Sequence, residues 1–349
     1  MRIFIQLDAI YAPSLTILEP LLLDLMGMFD HEPAHSIDNQ HTIYLVSDLP
    51  KPNENIAAEW VHPHATVSLI ADNNNNALIH FGPVASWARP LPSFFIPLAL
   101  PHQIGNLSWV KSWLEKKRFN TTMQGAKKVL ALDEWHAQNR PGAERLHLEK
   151  ASLPSFEWSQ LATVRSALTD GNQYLLAFVD VQDILPIVKA FSVFKKWQLS
   201  TMSLVFVMDT DAEKDKAANL LLGYKYRDAV ELAIVSNFKL EWIAAAYLTI
   251  FSGLNSHRFQ FLTYTMRYQI PFLMHQDDNA DANFICTQMA EAGEYFDFKQ
   301  PDTLANHFKL YYKDEMYRAA KGIEIQKAIQ TEIAQFQQKA TIVWPRDLV

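Results

Sequence analysis

Glycine is scarce in this chain, 10 residues in 349, where average usage of about 7% would give roughly 24. Neither G-x-G-x-x-G nor G-x-x-x-x-G-K-[ST] occurs anywhere, so the backbone has no glycine loop through which its amides could approach a phosphate closely. That excludes a dinucleotide fingerprint and a P-loop, and with them NAD-dependent dehydrogenases and P-loop NTPases. Cysteine is rarer still. The lone Cys286 forms neither an internal disulfide nor a thiolate metal site by itself, which fits a reducing compartment and excludes a zinc finger. An excess of positive charge is missing too: 31 Lys and Arg stand against 38 Asp and Glu, a formal net charge of -7. Such a chain has no overall field for nucleic acid. No run is long and apolar enough to span a bilayer. The N-terminal segment reaches Asp8 before any apolar run, the wrong order for a secretory signal. The expectation is a cytoplasmic protein. No G-x-S-x-G is present, which leaves a hydrolase of that class without its nucleophile turn.

What is present is core material. At 49% hydrophobic and 20% charged residues the chain has the composition of a globular protein, and its length suits two packed α/β domains, because single cores stop growing at roughly 250 to 300 residues. In the first part, strand-like runs at Arg2 to Leu7, Thr42 to Val46, Thr66 to Ile70, Ala77 to Phe81, Phe94 to Leu100 and Val129 to Leu132 surround one helical pattern through Leu18, Leu21, Leu22, Leu25 and Met26, whose spacing of three and four marks one buried face. This predicts a small, trimmed α/β domain over 1–150.

From about residue 151 the alternation is cleaner. Strands are predicted at Tyr174 to Val179, Leu204 to Met208, Val230 to Val235, Tyr247 to Phe251 and Pro271 to Met274. Helices are predicted through 184–197, 212–224, 240–246, 257–268, 282–290 and 303–313. Alternating strand and helix with short connections imply a doubly wound parallel sheet. This second domain is expected over 151–322, and 323–349 as a helix and tail running back towards the first, with a break near Gly322.

Several local patterns invite a chemical reading. Residues 106–118 place Trp109, Trp113 and Leu114 opposite Lys111, Lys116, Lys117 and Arg118, a surface helix with snorkelling lysines that could rest on a membrane or a partner. Asp209-Thr210-Asp211 after an apolar strand imitates a carboxylate metal site, although Asp and Thr before a helix are ordinary capping residues. The acidic run at 277–281 has Ala282 where a calcium loop needs Gly and Gln288 where it needs Glu. His62 and His64 bracket a proline without a third ligand, and Glu324 and Glu332 share a face of the tail helix by spacing alone. No metal is expected.

Residues 174–320 resemble the nucleotide-sugar domain of the group 1 glycosyltransferases, two-domain enzymes of the GT-B fold that mostly retain anomeric configuration. The resemblance lies in the order of elements. Asn172 to Phe191 is similar to the family's opening strand, basic loop and helix, and LVFVMDTD at 204–211 to its next strand and turn. Val230 to Asn255 is similar to the strand, helix and second strand that precede the signature; SHRFQFLTYTMRYQIPFL at 256–273 is similar to the signature helix with Met266, Pro271 and Phe272; and GEYFDFKQPDTL at 293–304 is similar to the late strand and acidic turn. The chemistry at the signature differs. Ser256 and Tyr264 stand where the family carries two glutamates, Gln182 stands where it carries the lysine of its diphosphate clamp, and Met208-Asp209-Thr210 replaces a Gly-Asp-Gly turn.

The resemblance implies a GT-B-like protein of two Rossmann-like domains that uses a nucleotide sugar as co-substrate, needs no cofactor, and acts on a glycan acceptor. Ser256, His257, Arg258, Tyr264 and Gln182 are the implied donor-side candidates, with Arg258 as a replacement positive charge at a helix start. Asp8, Tyr11 and Ser14 are the implied candidates from the first domain. Two functions stay open: a divergent transferase, and a catalytically inactive relative serving as a binding or partner subunit.

Overall fold

The computed structural model describes residues 153–197, 200–253, 256–276 and 293–343; from the first 152 residues it describes 2–6, 42–46, 59–61, 76–80, 91, 93–95, 117, 121–122, 124–131, 133–134, 137 and 142–147. The chain forms two compact units, one of 1–152 with 333–349 and one of 153–332.

Among its described residues the first unit has eight parallel strands: β1 (Arg2–Gln6), β2 (Thr42–Val46), β3 (Glu59–Val61), β4 (Asn76–His80), β5 (Ser93–Phe95), β6 (Lys128–Ala131), β7 (Glu144–His147) and β14 (Ile342–Val343). Their order across the sheet is β3-β2-β1-β4-β5-β6-β7-β14. Consecutive residues Phe4 and Ile5 of β1, and Leu78 and Ile79 of β4, are all fully buried, which means that both faces of the central strands are covered, as parallel sheets require. Phe4 stacks on Tyr44 of the neighbouring strand at 5.1 Å. β3 and β7 are too short to stand out as apolar runs. Thr66 to Ile70 and the helical pattern at 18–26 lie outside the described residues.

Among its described residues the second unit has six parallel strands, β8 (Tyr174–Phe178), β9 (Ser203–Met208), β10 (Val230–Ile234), β11 (Leu248–Phe251), β12 (Phe272–His275) and β13 (Glu294–Phe296), in the order β10-β9-β8-β11-β12-β13. The chain starts in the middle, walks outward through β9 and β10, and returns to β11 on the other side of β8. Every residue of β8, β9 and β11 is buried, so these strands read as continuous apolar runs. The helices among the described residues are α1 (Trp158–Thr169), α2 (Ile184–Trp197), α3 (Asp211–Leu221), α4 (Leu240–Ala245), α5 (Ser256–Arg267), α6 (Pro301–Lys313) and α7 (Glu315–Gln338). The predicted helix at 282–290 lies outside the described residues. α1 went unpredicted; its only buried residue is Thr169, so it shows no apolar stripe to read.

The pleat divides the core in two. Leu175, Ala177, Leu204, Phe206, Leu248 and Ile250 point towards α2 and α6, where they meet Ile187, Phe191, Phe194 and Phe308. Phe178 and Phe251 point the other way, stacking on each other at 5.2 Å. Phe261 of α5 lies on Phe178 at 4.6 Å and on Phe238 at 4.5 Å. This aromatic column fastens α5 to the sheet.

The expected break near Gly322 is absent. α7 runs unbroken through it, and a Cβ at Gly322 would collide with the carbonyl oxygen of Gln269. The glycine is there to let two backbones approach, not to end a helix. At the end of the sheet where β11 and β13 begin, the single proton of the Tyr247 hydroxyl is shared between the Tyr311 carbonyl at 2.7 Å and the Glu315 carboxylate at 3.1 Å. Nearby, Glu294 accepts from Tyr317 and pairs with His307 at 2.6 Å. Burial alone would raise the Glu294 pKa, but hydrogen bonds from His307 and Tyr317 outweigh it and hold the carboxyl below its ordinary value. Glu315 of α7 and the β13 side chain Glu294 thus tie the last two helices to the sheet.

Candidate functional site

In open α/β sheets ligands sit beyond the carboxyl ends of the strands, at the point where the strand order reverses. In the second unit that point lies between β8 and β11, which pair in parallel from Leu175 and Leu248 to Phe178 and Phe251. Asp180 follows β8, and Ser252 and Gly253 follow β11. The Asp180 amide donates to the Ser252 hydroxyl at 3.2 Å, and the Ser252 amide to the Phe178 carbonyl at 3.3 Å.

Arg258 stands at the centre of this arrangement. It lies in the first turn of α5, and only 4% of its side chain is exposed. Its Nη1 meets Asp180 Oδ1 at 2.9 Å and its Nη2 meets Asp209 Oδ2 at 3.4 Å. The carboxylates are the outer members of the triad, 52% and 27% exposed. A Cβ at Gly253 would come no nearer than 4.0 Å to Nη1.

Two more acids complete the surroundings. Burial raises the pKa of Asp183, against a hydrogen bond with Ser252 and the attraction of Arg258. Burial also raises that of Glu213, helped by the Asp209 charge. Glu213 is fixed from both sides: its carboxylate accepts from the Asp209 amide at 3.2 Å, while its own amide donates to the Thr210 hydroxyl at 3.2 Å, the N-cap of α3.

A carboxylate whose folded pKa is raised stabilises the fold below its unfolded pKa, and that contribution is lost as pH rises through the folded value. Glu213→Gln is therefore expected to raise the melting temperature at pH 7 by roughly 1–2 °C, a sub-kilocalorie effect in a unit of this size. At pH 4 the gain should vanish. Thermal denaturation at the two pH values tests this, and an equal gain at both would contradict it.

These positions correct several expectations. Arg258, expected as a positive charge at a helix start, is a buried guanidinium paired with two carboxylates. Gln182, expected at the clamp position, is exposed in the 3-10 turn Val181–Asp183; Asp180, two residues earlier, is the group that reaches the arginine. Tyr264 is a core residue of α5 at 5% exposure. Asp209 faces Arg258, and Asp211 sits in the first turn of α3. Ser256 and His257 fall in the first turn of α5, as the helix was predicted to start. Asp8, Tyr11, Ser14, His62, His64, the acidic run at 277–281 and all of 106–118 but Lys117 lie outside the described residues.

Asp180, Asp183 and Ser252 were missed. The available signal was position alone, a polar residue directly after a fully apolar strand. The same signal marks a pair in the first unit. There the order reverses between β1 and β4, whose last residues Gln6 and His80 are register partners, 8% and 0% exposed. Among the described residues, no helix is long and apolar enough to cross a membrane.

Two parallel doubly wound units of this kind define the GT-B fold. No protein-family model and no curated protein matches the sequence; the similarity is carried by solved structures. HepE of Anabaena, in complex with UDP and glucose, aligns over 97% of this chain and 98% of its own with a TM-score of 0.61 at 12% identity. WaaG, a glycosyltransferase involved in lipopolysaccharide biosynthesis, aligns over 98% and 100% with a TM-score of 0.57 at 12% identity. A glycosyltransferase from Rickettsia africae aligns over 97% and 96% with a TM-score of 0.59 at 10% identity. At these identities the likeness establishes the fold.

Proposed function

We propose that this chain is a divergent glycosyltransferase that takes a sugar from a nucleotide sugar and passes it to an acceptor in glycan synthesis. The observation that carries the reading is Arg258, a guanidinium held by the first turn of α5 at the reversal point of the second sheet. In such a transfer the bond between the anomeric carbon and the diphosphate oxygen breaks, the acceptor hydroxyl oxygen bonds to that carbon and loses its proton to the departing diphosphate or to solvent, and negative charge grows on the diphosphate as it leaves. In this reading Arg258 and the amides at the start of α5 receive that charge.

Ser256 and His257 complete the donor side of the proposal, which assigns 151–322 to the donor and 1–150 to the acceptor, with 323–349 as the returning tail. Gln6 and His80 are the corresponding candidates of the first sheet. HepE, solved with UDP-glucose, supports a uridine nucleotide as the carrier.

One observation favours a second reading, a binding or partner subunit without turnover: Arg258 already has carboxylate partners. Calorimetric titration with UDP, GDP and ADP, followed by an assay for UDP released from UDP-glucose, separates the two. The transferase reading expects saturable UDP binding and slow release of UDP. Binding without release would leave the second reading, and no nucleotide binding at millimolar concentration would end the first.

A further inference from the structure

We infer that Asp180 and Asp209 determine the anion specificity of this site, acting as resident counter-anions that a phosphate ligand must displace from Arg258. The inference deepens the reading above and rests on its placement of the donor at the end of β8 and β11.

The geometry separates a fixed cation from movable anions. The arginine is 4% exposed and enters from a helix fastened to the sheet by Phe261. The two carboxylates approach its two terminal nitrogens from loops after β8 and β9, with 52% and 27% of their side chains in solvent. Two oxygens of a tetrahedral phosphate can accept from the planar guanidinium fork, as carboxylate oxygens do. It would therefore take the positions that Asp180 and Asp209 now hold.

The surroundings oppose that exchange. Asp183 and Glu213 each feel Arg258 and Asp180 as electrostatic neighbours, and Asp183 also feels His275, so among the described residues four carboxylates gather around the Arg258 guanidinium. An incoming diphosphate adds like charge to a group that is already negative. The site admits a phosphate only as far as the two counter-anions yield, which makes neutral ligand parts such as sugar hydroxyls comparatively favoured. Asparagine in place of either aspartate keeps a carbonyl acceptor for Arg258 and removes one competing charge.

The test measures binding of inorganic pyrophosphate and, separately, of UDP to the wild-type chain, Asp180→Asn and Asp209→Asn at low salt. Melting curves show whether each variant is folded. Asp209→Asn is expected to bind pyrophosphate about tenfold more tightly than wild type, and the more exposed Asp180→Asn about three- to fivefold, in keeping with ~1.4 kcal/mol per factor of ten. Should Asp209→Asn fail to fold, Asp180→Asn decides. Unchanged or weaker pyrophosphate binding in the folded variants, or no binding in any of them at millimolar concentration, overturns the inference. That would hold even where UDP binds the wild type and the transferase reading stands. Tighter pyrophosphate binding with no affinity for UDP anywhere supports the inference and removes the nucleotide-sugar reading.

Discussion

Arg258→Ala is expected to lower UDP affinity by at least about 100-fold, equivalent to about 2.8 kcal/mol, and to cost the fold about 2–4 kcal/mol as well. The functional part follows because Arg258 is the guanidinium of the triad described above, so that without it the diphosphate would face Asp180, Asp183, Asp209 and Glu213 with that charge no longer offsetting theirs. The structural part follows from burial. Removing one member of a buried ion pair leaves its partners unpaired, which typically costs 3–5 kcal/mol. Here the loss should fall towards the lower end, because Asp180 and Asp209 are 52% and 27% exposed and water can replace the arginine. Arg258→Met separates charge from packing: it keeps most of the apolar stem, so it should recover stability but none of the nucleotide affinity. Denaturant unfolding and calorimetry read the two effects. Undiminished UDP binding in either variant would remove Arg258 from the site.

The second large effect concerns the support beneath the arginine. Phe261→Ala is expected to destabilise the second unit by about 3–5 kcal/mol, the range for deleting a buried phenylalanine. Phe261 is fully buried and its ring meets Phe178 at 4.6 Å and Phe238 at 4.5 Å, so the truncation forfeits two aromatic contacts as well as apolar burial. That is a large share of the 5–15 kcal/mol by which a native domain is stable. Phe261→Leu fills more of the cavity and should cost roughly 1–2 kcal/mol. Because Phe261 and Arg258 share α5, the alanine variant should also bind UDP more weakly at temperatures where it remains folded. A loss below about 1 kcal/mol in urea titration would show that α5 is held by something other than this column.

The raised pKa values of Asp183 and Glu213 and the lowered one of Glu294 have opposite consequences. The first two favour the folded state below their unfolded values and lose that contribution as pH rises. Glu294 contributes above its unfolded value and loses it as pH falls. The groups lie at opposite ends of the same sheet, so substituting one should leave the pH response of the other intact.

The doubly wound sheet was legible because burial on both faces forces a parallel strand to be apolar throughout, and YLLAF, SLVFVM and LTIF say so without reference to anything distant. The scarcity of glycine likewise excluded the phosphate loops on local grounds, and the helix expected over 257–268 is α5, which starts one residue earlier at Ser256. The sequence could not say what Arg258 touches. Its partners stand 78 and 49 positions away by subtraction of residue numbers, and only the strand order, which sets β8 between β9 and β11, brings the three loop ends together. Gly322 was misread for the same reason: a glycine in a helix looks like a break until the Gln269 carbonyl that needs the space is in view. Periodicity and burial are properties of a segment and are written into it. Charge pairing and close backbone approach are properties of two segments, and chain topology alone decides which two meet.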